Sequence, residues 1–132
     1  EALSRGARSA VFVDAAPPAV RVLRENLQVS GFADRSRVLP TSAASALRVL
    51  AREGAVVDGV LADPPYGTGA VQQVVDGVAR AGVLAADGWI AIEHQQDEAP
   101  VPPPGFVVEV SRRHGRTAIT LLQRTPAEEG AP

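Results

Sequence analysis

The sequence predicts an α/β fold, with a mostly parallel sheet and a C-terminal antiparallel hairpin. Three observations carry that expectation. Short apolar runs near residues 9–14, 38–39, 56–62 and 89–93 alternate with stretches of helical period. The last two strand-like segments alternate in a period of two around His114-Gly115, as a hairpin would. Finally, the apolar runs end in polar or proline-bearing residues, and strand C-termini are where open α/β sheets bind ligands.

The elements follow in order. Glu1-Ala2-Leu3-Ser4-Arg5 are helix formers, and Gly6 suits the position just after a helix C-terminus. This helix has a stop and no start, and five residues alone cannot nucleate one. The expectation is therefore an N-terminally truncated fragment that begins inside a helix. Ser9 to Asp14 predicts a buried strand. Pro17-Pro18 opens a helix, because proline at a first turn loses no hydrogen bond. Val20, Leu23, Leu27 and Phe32 form its apolar face, and Gly31 stops it. Val38-Leu39 is a weak strand before Pro40. Ser42 N-caps a helix running to about Glu53, with Leu47, Leu50 and Ala43 as its stripe and Gly54 as its end.

Val56 to Ala62 is the next buried strand, followed by Asp63-Pro64-Pro65-Tyr66-Gly67. A helix spans Ala70 to Ala81 with Val71, Val74, Val75 and Val78 inward. Asp87-Gly88 turns into the strand Trp89 to Glu93. Glu98 to Gly105 holds four prolines and cannot be regular structure. Phe106 to Ser111 and Thr117 to Gln123 make the hairpin, and 125–132 is expected to be a disordered tail beyond a single domain over 1–124.

Composition narrows the function. The chain has 132 residues, 45% hydrophobic and 21% charged, which is a globular composition sized for one domain. With no cysteine there is no disulfide scaffold, thiolate zinc site or cysteine nucleophile, and two histidines argue against a histidine-rich metal centre. No metal site is expected, and no apolar run suits a membrane span. A net charge of -2 excludes an overall basic nucleic-acid coat. All 13 basic residues are arginines, which suits phosphate recognition and equally reflects biased codon usage.

Four sets of residues fall at strand C-termini: Asp14, Thr41 to Ala43, Asp63 to Tyr66, and Glu93-His94. Asp63-Pro64-Pro65-Tyr66 is the most informative, since it follows an apolar strand, precedes a helix and holds the chain's only tyrosine. A proline-rich turn is its structural alternative. The chemistry accounts for the residue types. The lone pair of a purine amino group is delocalised into the ring, so methylating it requires acceptors that hold both hydrogens and turn that lone pair outward. The Asp63 carboxylate and the Pro64 carbonyl can be those acceptors. Proline's restricted φ at Pro64 and Pro65 stiffens them in advance. Tyr66 offers a flat face for an extruded base.

With its upstream Glu1-Ala2-Leu3-Ser4-Arg5-Gly6-Ala7 string, this motif resembles the RsmD-type methyltransferases of bacteria. The likeness runs from Glu1 to about Arg124. It implies a Rossmann-like class I methyltransferase sheet whose first strand and glycine loop precede Glu1. It also implies S-adenosyl-L-methionine as cofactor and a guanine N2 of small-subunit rRNA, or the assembling small subunit, as substrate. A cytoplasmic monomer is expected, and the fragment alone is expected to be inactive. Asp63, Pro64 and Tyr66 would be catalytic, with Pro65, Tyr66, Arg112 and Arg113 on the substrate. Asp14, Ser42, Ala43 and Asp63 would bind cofactor, Asp14 through the ribose hydroxyls.

Each assignment has a structural counterpart. Asp14 also suits a cap of the Pro17 helix, and Ser42 also suits an N-cap. Arg112, Arg113, His114 and Arg116 form either a phosphate contact or a solvated basic turn. Asp-Pro-Pro-Tyr also occurs in N6-adenine enzymes. A catalytically silent RNA-binding module of the same fold is the remaining alternative.

Overall fold

The computed structural model describes residues 1–126. The order of elements is α/β as expected, with parallel strand pairs and a C-terminal antiparallel hairpin. It divides into two compact units, Glu1–Ala46 and the stretch from Leu47 onward. Of the tail expected over 125–132, residues 127 onward lie outside the described residues; its first residue, Thr125, is instead tied down by backbone and hydroxyl bonds to the Gly105 carbonyl at 2.8 and 2.9 Å. Among the described residues no helix is long and apolar enough to cross a membrane.

In the first unit, residues 2–6 form a turn closed by Arg5 N–H to the Glu1 carbonyl, at 3.1 Å. Gly6 leaves it at φ +110°, a conformation only glycine adopts readily. Strand β1 (Ala10–Val13) pairs in parallel with β2 (Ser36–Leu39). Between them runs helix α1 (Pro17–Ser30), with proline in its first turn and Gly31 as a left-handed C-cap at φ 78°. Val20 and Leu27 are its buried residues. The expected burial of β1 is corrected: Val11 and Val13 are exposed while Ala10 and Phe12 are half-buried, so one face of the strand is left uncovered among the described residues.

Helix α2 (Ala43–Arg52) crosses from the first unit into the second. Its buried stripe is Ala46 and Leu50; Ala43 sits exposed in the first turn, contrary to the sequence reading. Within the second unit, a Leu47 methyl lies 3.3 Å from where a Cβ at Gly77 would stand, so α2 rests against α3 (Ala70–Ala81) through that glycine.

The second unit carries a four-stranded sheet in the order β3-β4-β6-β5. Strand β3 (Val57–Ala62) is parallel to β4 (Leu84–Gln95). Strands β5 (Phe106–His114) and β6 (Thr117–Arg124) form the hairpin, with β6 antiparallel to both neighbours. Val71, Val75 and Val78 of α3 are buried, with Ile90 and Ile92 of β4 and Leu122 of β6. Strand β3 is less buried than its composition suggests, since Leu61 points to solvent.

Two expectations change here. Asp87-Gly88 is no free turn; it belongs to a long β4 that bulges where the register passes from Val57↔Leu84 to Gly59↔Trp89. The carbonyls released by that bulge find partners on β6: Arg124 donates to Leu84 at 2.6 Å, and Gln123 to Asp87 and Gly88 at 2.8 and 3.1 Å. Strand β5 continues to His114, so the hairpin turn is Gly115-Arg116, and Arg112 and Arg113 are strand residues rather than turn residues.

Candidate active site

The motif at the end of β3 is built by a change of chain direction. Ala62 is the last strand residue, and Pro64 cannot donate to a continuing ladder. Pro64 is buried and anchors the turn, while Asp63, Pro65 and Tyr66 are exposed. The Thr68 hydroxyl donates to the Pro65 carbonyl at 3.1 Å and accepts the Ala70 N–H at 3.3 Å, which closes the loop onto the start of α3. Gly67 and Gly69 both have positive φ, near +73° and +74°.

Two carboxylates from β4 and its extension hold this loop. The Tyr66 hydroxyl donates to Glu93 Oε1 at 3.2 Å, and the Gly67 N–H donates to Glu98 Oε1 at 2.8 Å. Glu98 closes a short 3₁₀ turn, Gln96–Glu98. The following proline-rich stretch is fixed by Gln72 of α3. Its side-chain amide accepts the Val101 N–H at 2.8 Å and donates to the Val101 carbonyl at 2.9 Å. Tyr66 is 42% exposed, and its phenol is pushed above its ordinary 10.0. Partial desolvation is the largest cause, then the charge and hydrogen bond of Glu93, then the charge of Asp63. The ring therefore stays a neutral donor at neutral pH.

Sequence reasoning placed Glu93 on the rim without its bond to Tyr66, and it gave Glu98 no role. Glu98 carries no signal beyond being a carboxylate ahead of the prolines, since its partner is a backbone N–H 31 residues away.

Arg112 and Arg113 separate. Cross-strand pairing puts Arg112 opposite Ile119, itself opposite Glu93, so Arg112 shares the Glu93 face, two strand spacings or about 10 Å away. Arg113 pairs with Ala118 in the row of buried His94 and faces the other side. Both are exposed.

The first unit brings Asp14, Ser42 and Ala43 to one rim, the C-terminal end of the β1–β2 pair, where Asp14 N–H donates to the Leu39 carbonyl at 3.4 Å. Asp14 Oδ1 accepts the Ala16 N–H at 2.9 Å at the start of α1. Ser42 Oγ accepts the Ser45 N–H at 3.2 Å and so caps α2. Both residues thus do the structural work that the sequence allowed, and each keeps capacity for a ligand: the second Asp14 oxygen and the Ser42 hydroxyl proton. An open groove of about 430 Å³ lies on this unit, lined by Ala15, Pro17, Val20, Arg21, Arg24 and Pro40. An Asp14 carboxylate oxygen able to accept, a Ser42 hydroxyl able to donate and the small Ala43 beside them are chemically compatible with a ribose and its base.

A parallel β-α-β arrangement with an Asp-Pro-Pro-Tyr loop at a strand C-terminus fits the class that the motif implies, a Rossmann-like methyltransferase. Comparison with known proteins gives the particular family. The family described as "Conserved hypothetical protein 95" matches residues 1–123. The chain belongs to that family, the RsmD-type S-adenosylmethionine-dependent methyltransferases. It is 26% identical over 125 residues to "Putative rRNA methyltransferase YlbH" of Bacillus subtilis (strain 168), covering 94% of this chain and 68% of that one. Among solved structures it resembles "Putative methyltransferase yhhF" from Escherichia coli, with TM-score 0.84, 28% identity, and coverage of 95% of this chain and 69% of the other. "A putative sam-dependent methyltransferase from Streptococcus mutans" shares the fold at TM-score 0.75 and 10% identity, over 92% of this chain and 40% of its own.

Proposed function

We propose that this domain transfers a methyl group from S-adenosylmethionine to the exocyclic N2 amino group of a guanine in small-subunit rRNA. The observation that carries the reading is the exposed Asp63 and Tyr66 on a loop pinned by Pro64, Glu93 and Glu98. The rRNA-methyltransferase name of the Bacillus subtilis relative supports RNA as the substrate class.

Asp63 and the Pro64 carbonyl accept the two amino hydrogens, which turns the nitrogen lone pair away from the purine plane. Tyr66 stacks on the base, and Pro65 walls the loop beside it. The bound cofactor supplies an electrophilic methyl on a sulfonium. Asp14 would hold its ribose, and Ser42 and Ala43 would approach its adenine. The sulfonium sulfur would be the leaving group that takes the C–S electron pair, and Asp63 and the Pro64 carbonyl hold the N2 lone pair in line with its methyl. The surplus proton leaves to the Asp63 carboxylate or to water. Because the amine acidifies as it is alkylated, orientation supplies much of the rate. Arg112, on the Glu93 face, is placed to meet a phosphate of the same strand of RNA; Arg113, facing the other way, meets a different part of the backbone.

The test is methyl transfer by the intact protein from labelled S-adenosylmethionine to small-subunit particles, with the modified nucleoside identified by mass spectrometry. N2-methylguanosine is expected. N6-methyladenosine would replace the reading with an adenine one. Transfer that survives Asp63→Ala would overturn the mechanism, and RNA binding without transfer by the wild type would leave a silent binding module.

A further inference from the structure

We propose that Glu93 selects guanine, by accepting a hydrogen bond from the ring N1–H that adjoins the amino group to be methylated. The proposal rests on the guanine-N2 reading above and adds the residue that makes it specific.

Asp63 and the Pro64 carbonyl cannot supply that specificity. Two acceptors facing an exocyclic amine serve guanine N2 and adenine N6 alike. The bases differ at the neighbouring ring nitrogen, where guanine presents a hydrogen and adenine a lone pair. An ionised carboxylate only accepts. Placed beside N1, it bonds guanine and meets the adenine lone pair with repulsion and no partner.

The sheet puts a carboxylate there. Register pairs Ala62, the last residue of β3, with Ile92 of β4, so Asp63 and Glu93 follow those partners at the same rim of the sheet. Ile92 and His94 are buried, so Glu93 between them projects to the opposite face. Its Oε1 takes the Tyr66 hydroxyl at 3.2 Å, which directs the carboxylate at the ring proposed to stack on the base. Oε2 is left to accept from a ligand. A base on Tyr66 with its amino group at Asp63 presents its next ring nitrogen along that row.

The experiment uses the intact protein and an rRNA substrate carrying either guanine or 2-aminopurine at the mapped position. Both have the N2 amino group; 2-aminopurine has a lone pair at N1. The wild type is expected to prefer guanine in kcat/KM by about tenfold to a hundredfold, the effect of one charge-assisted hydrogen bond. Glu93→Gln and Glu93→Ala should bring the two substrates to within a few-fold of each other. Tyr66→Phe, which keeps the ring and frees Oε1, should retain the preference even if transfer slows. A preference that survives in either folded Glu93 variant overturns the proposal, as does its loss in Tyr66→Phe, which would trace the effect to ring placement. A mapped product other than N2-methylguanine is a different failure, that of the underlying reading, and takes this proposal with it.

Discussion

The Tyr66 hydroxyl and the Glu93 carboxylate, 27 residues apart in sequence, meet at 3.2 Å on the rim of the sheet. Tyr66 is the chain's only tyrosine, so its titration is directly visible in phenolate absorbance. The midpoint is expected above 10.0, and Glu93→Gln should lower it by removing both a negative charge and a carboxylate acceptor. A group whose folded pKa is raised contributes stability below its unfolded pKa and loses it as pH rises through the folded value. Any stability tied to this proton is therefore lost only on the alkaline side. A Tyr66 midpoint at or below 10.0 would show that the bond does not persist in solution.

Glu98 tests whether loop rigidity contributes to turnover. Its carboxylate holds the Gly67 N–H at 2.8 Å, directly behind Tyr66. Glu98→Ala should lower kcat by about tenfold through loosened positioning of Asp63 and Tyr66, with little change in cofactor affinity. Glu98→Gln keeps an acceptor oxygen and should retain most of the rate. Equal kinetics for wild type and Glu98→Ala would mean that Pro64 and Pro65 stiffen the loop unaided.

What the sequence made legible was local chemistry. Gly31 and the proline pair at 17–18 bound α1, and Ala70 to Ala81 is helical as its valine spacing implies. The motif stands at a strand end because an apolar run and a proline pair say so together. What stayed hidden depended on distant partners. Asp87-Gly88 reads as a turn because aspartate and glycine suit turns and bulges alike; only Gln123 and Arg124, over thirty residues on, complete it as a bulge. The opposite faces of Arg112 and Arg113 become visible once Gly115-Arg116 is the turn. The exposure of Val11 and Leu61 was unreadable, since apolar composition does not say whether anything covers a strand.

Gly59 should be irreplaceable for packing. A Cβ there would lie 2.2 Å from the Trp89 ring, which crosses β3 at that point. No rotamer shift of a ring so placed is small, so Gly59→Ala should destabilise by about 1–3 kcal/mol or more. Trp89 is the only tryptophan, and its fluorescence reports the urea transition from the affected position. An unchanged midpoint would mean that the indole moves aside freely.

His94 is buried and both ring nitrogens are used. Nδ1 lies 2.6 Å from the Gln95 carbonyl, an acceptor only, so Nδ1 carries the proton. In the neutral ring Nε2 then accepts from the Thr120 hydroxyl at 2.7 Å, and Thr120 Oγ in turn accepts from Ser111 at 3.1 Å. With a single proton on the ring, that carbonyl sets the direction of the hydrogens in this chain across β4, β6 and β5. Thr120→Val would strand the Nε2 lone pair in the sheet, at a cost of about 1–3 kcal/mol. Adding His94→Leu removes the stranded group, so the double variant should be less destabilised than the sum of the singles. Urea unfolding of the four proteins measures the coupling; strict additivity would show that water or a rotated ring satisfies His94 without Thr120.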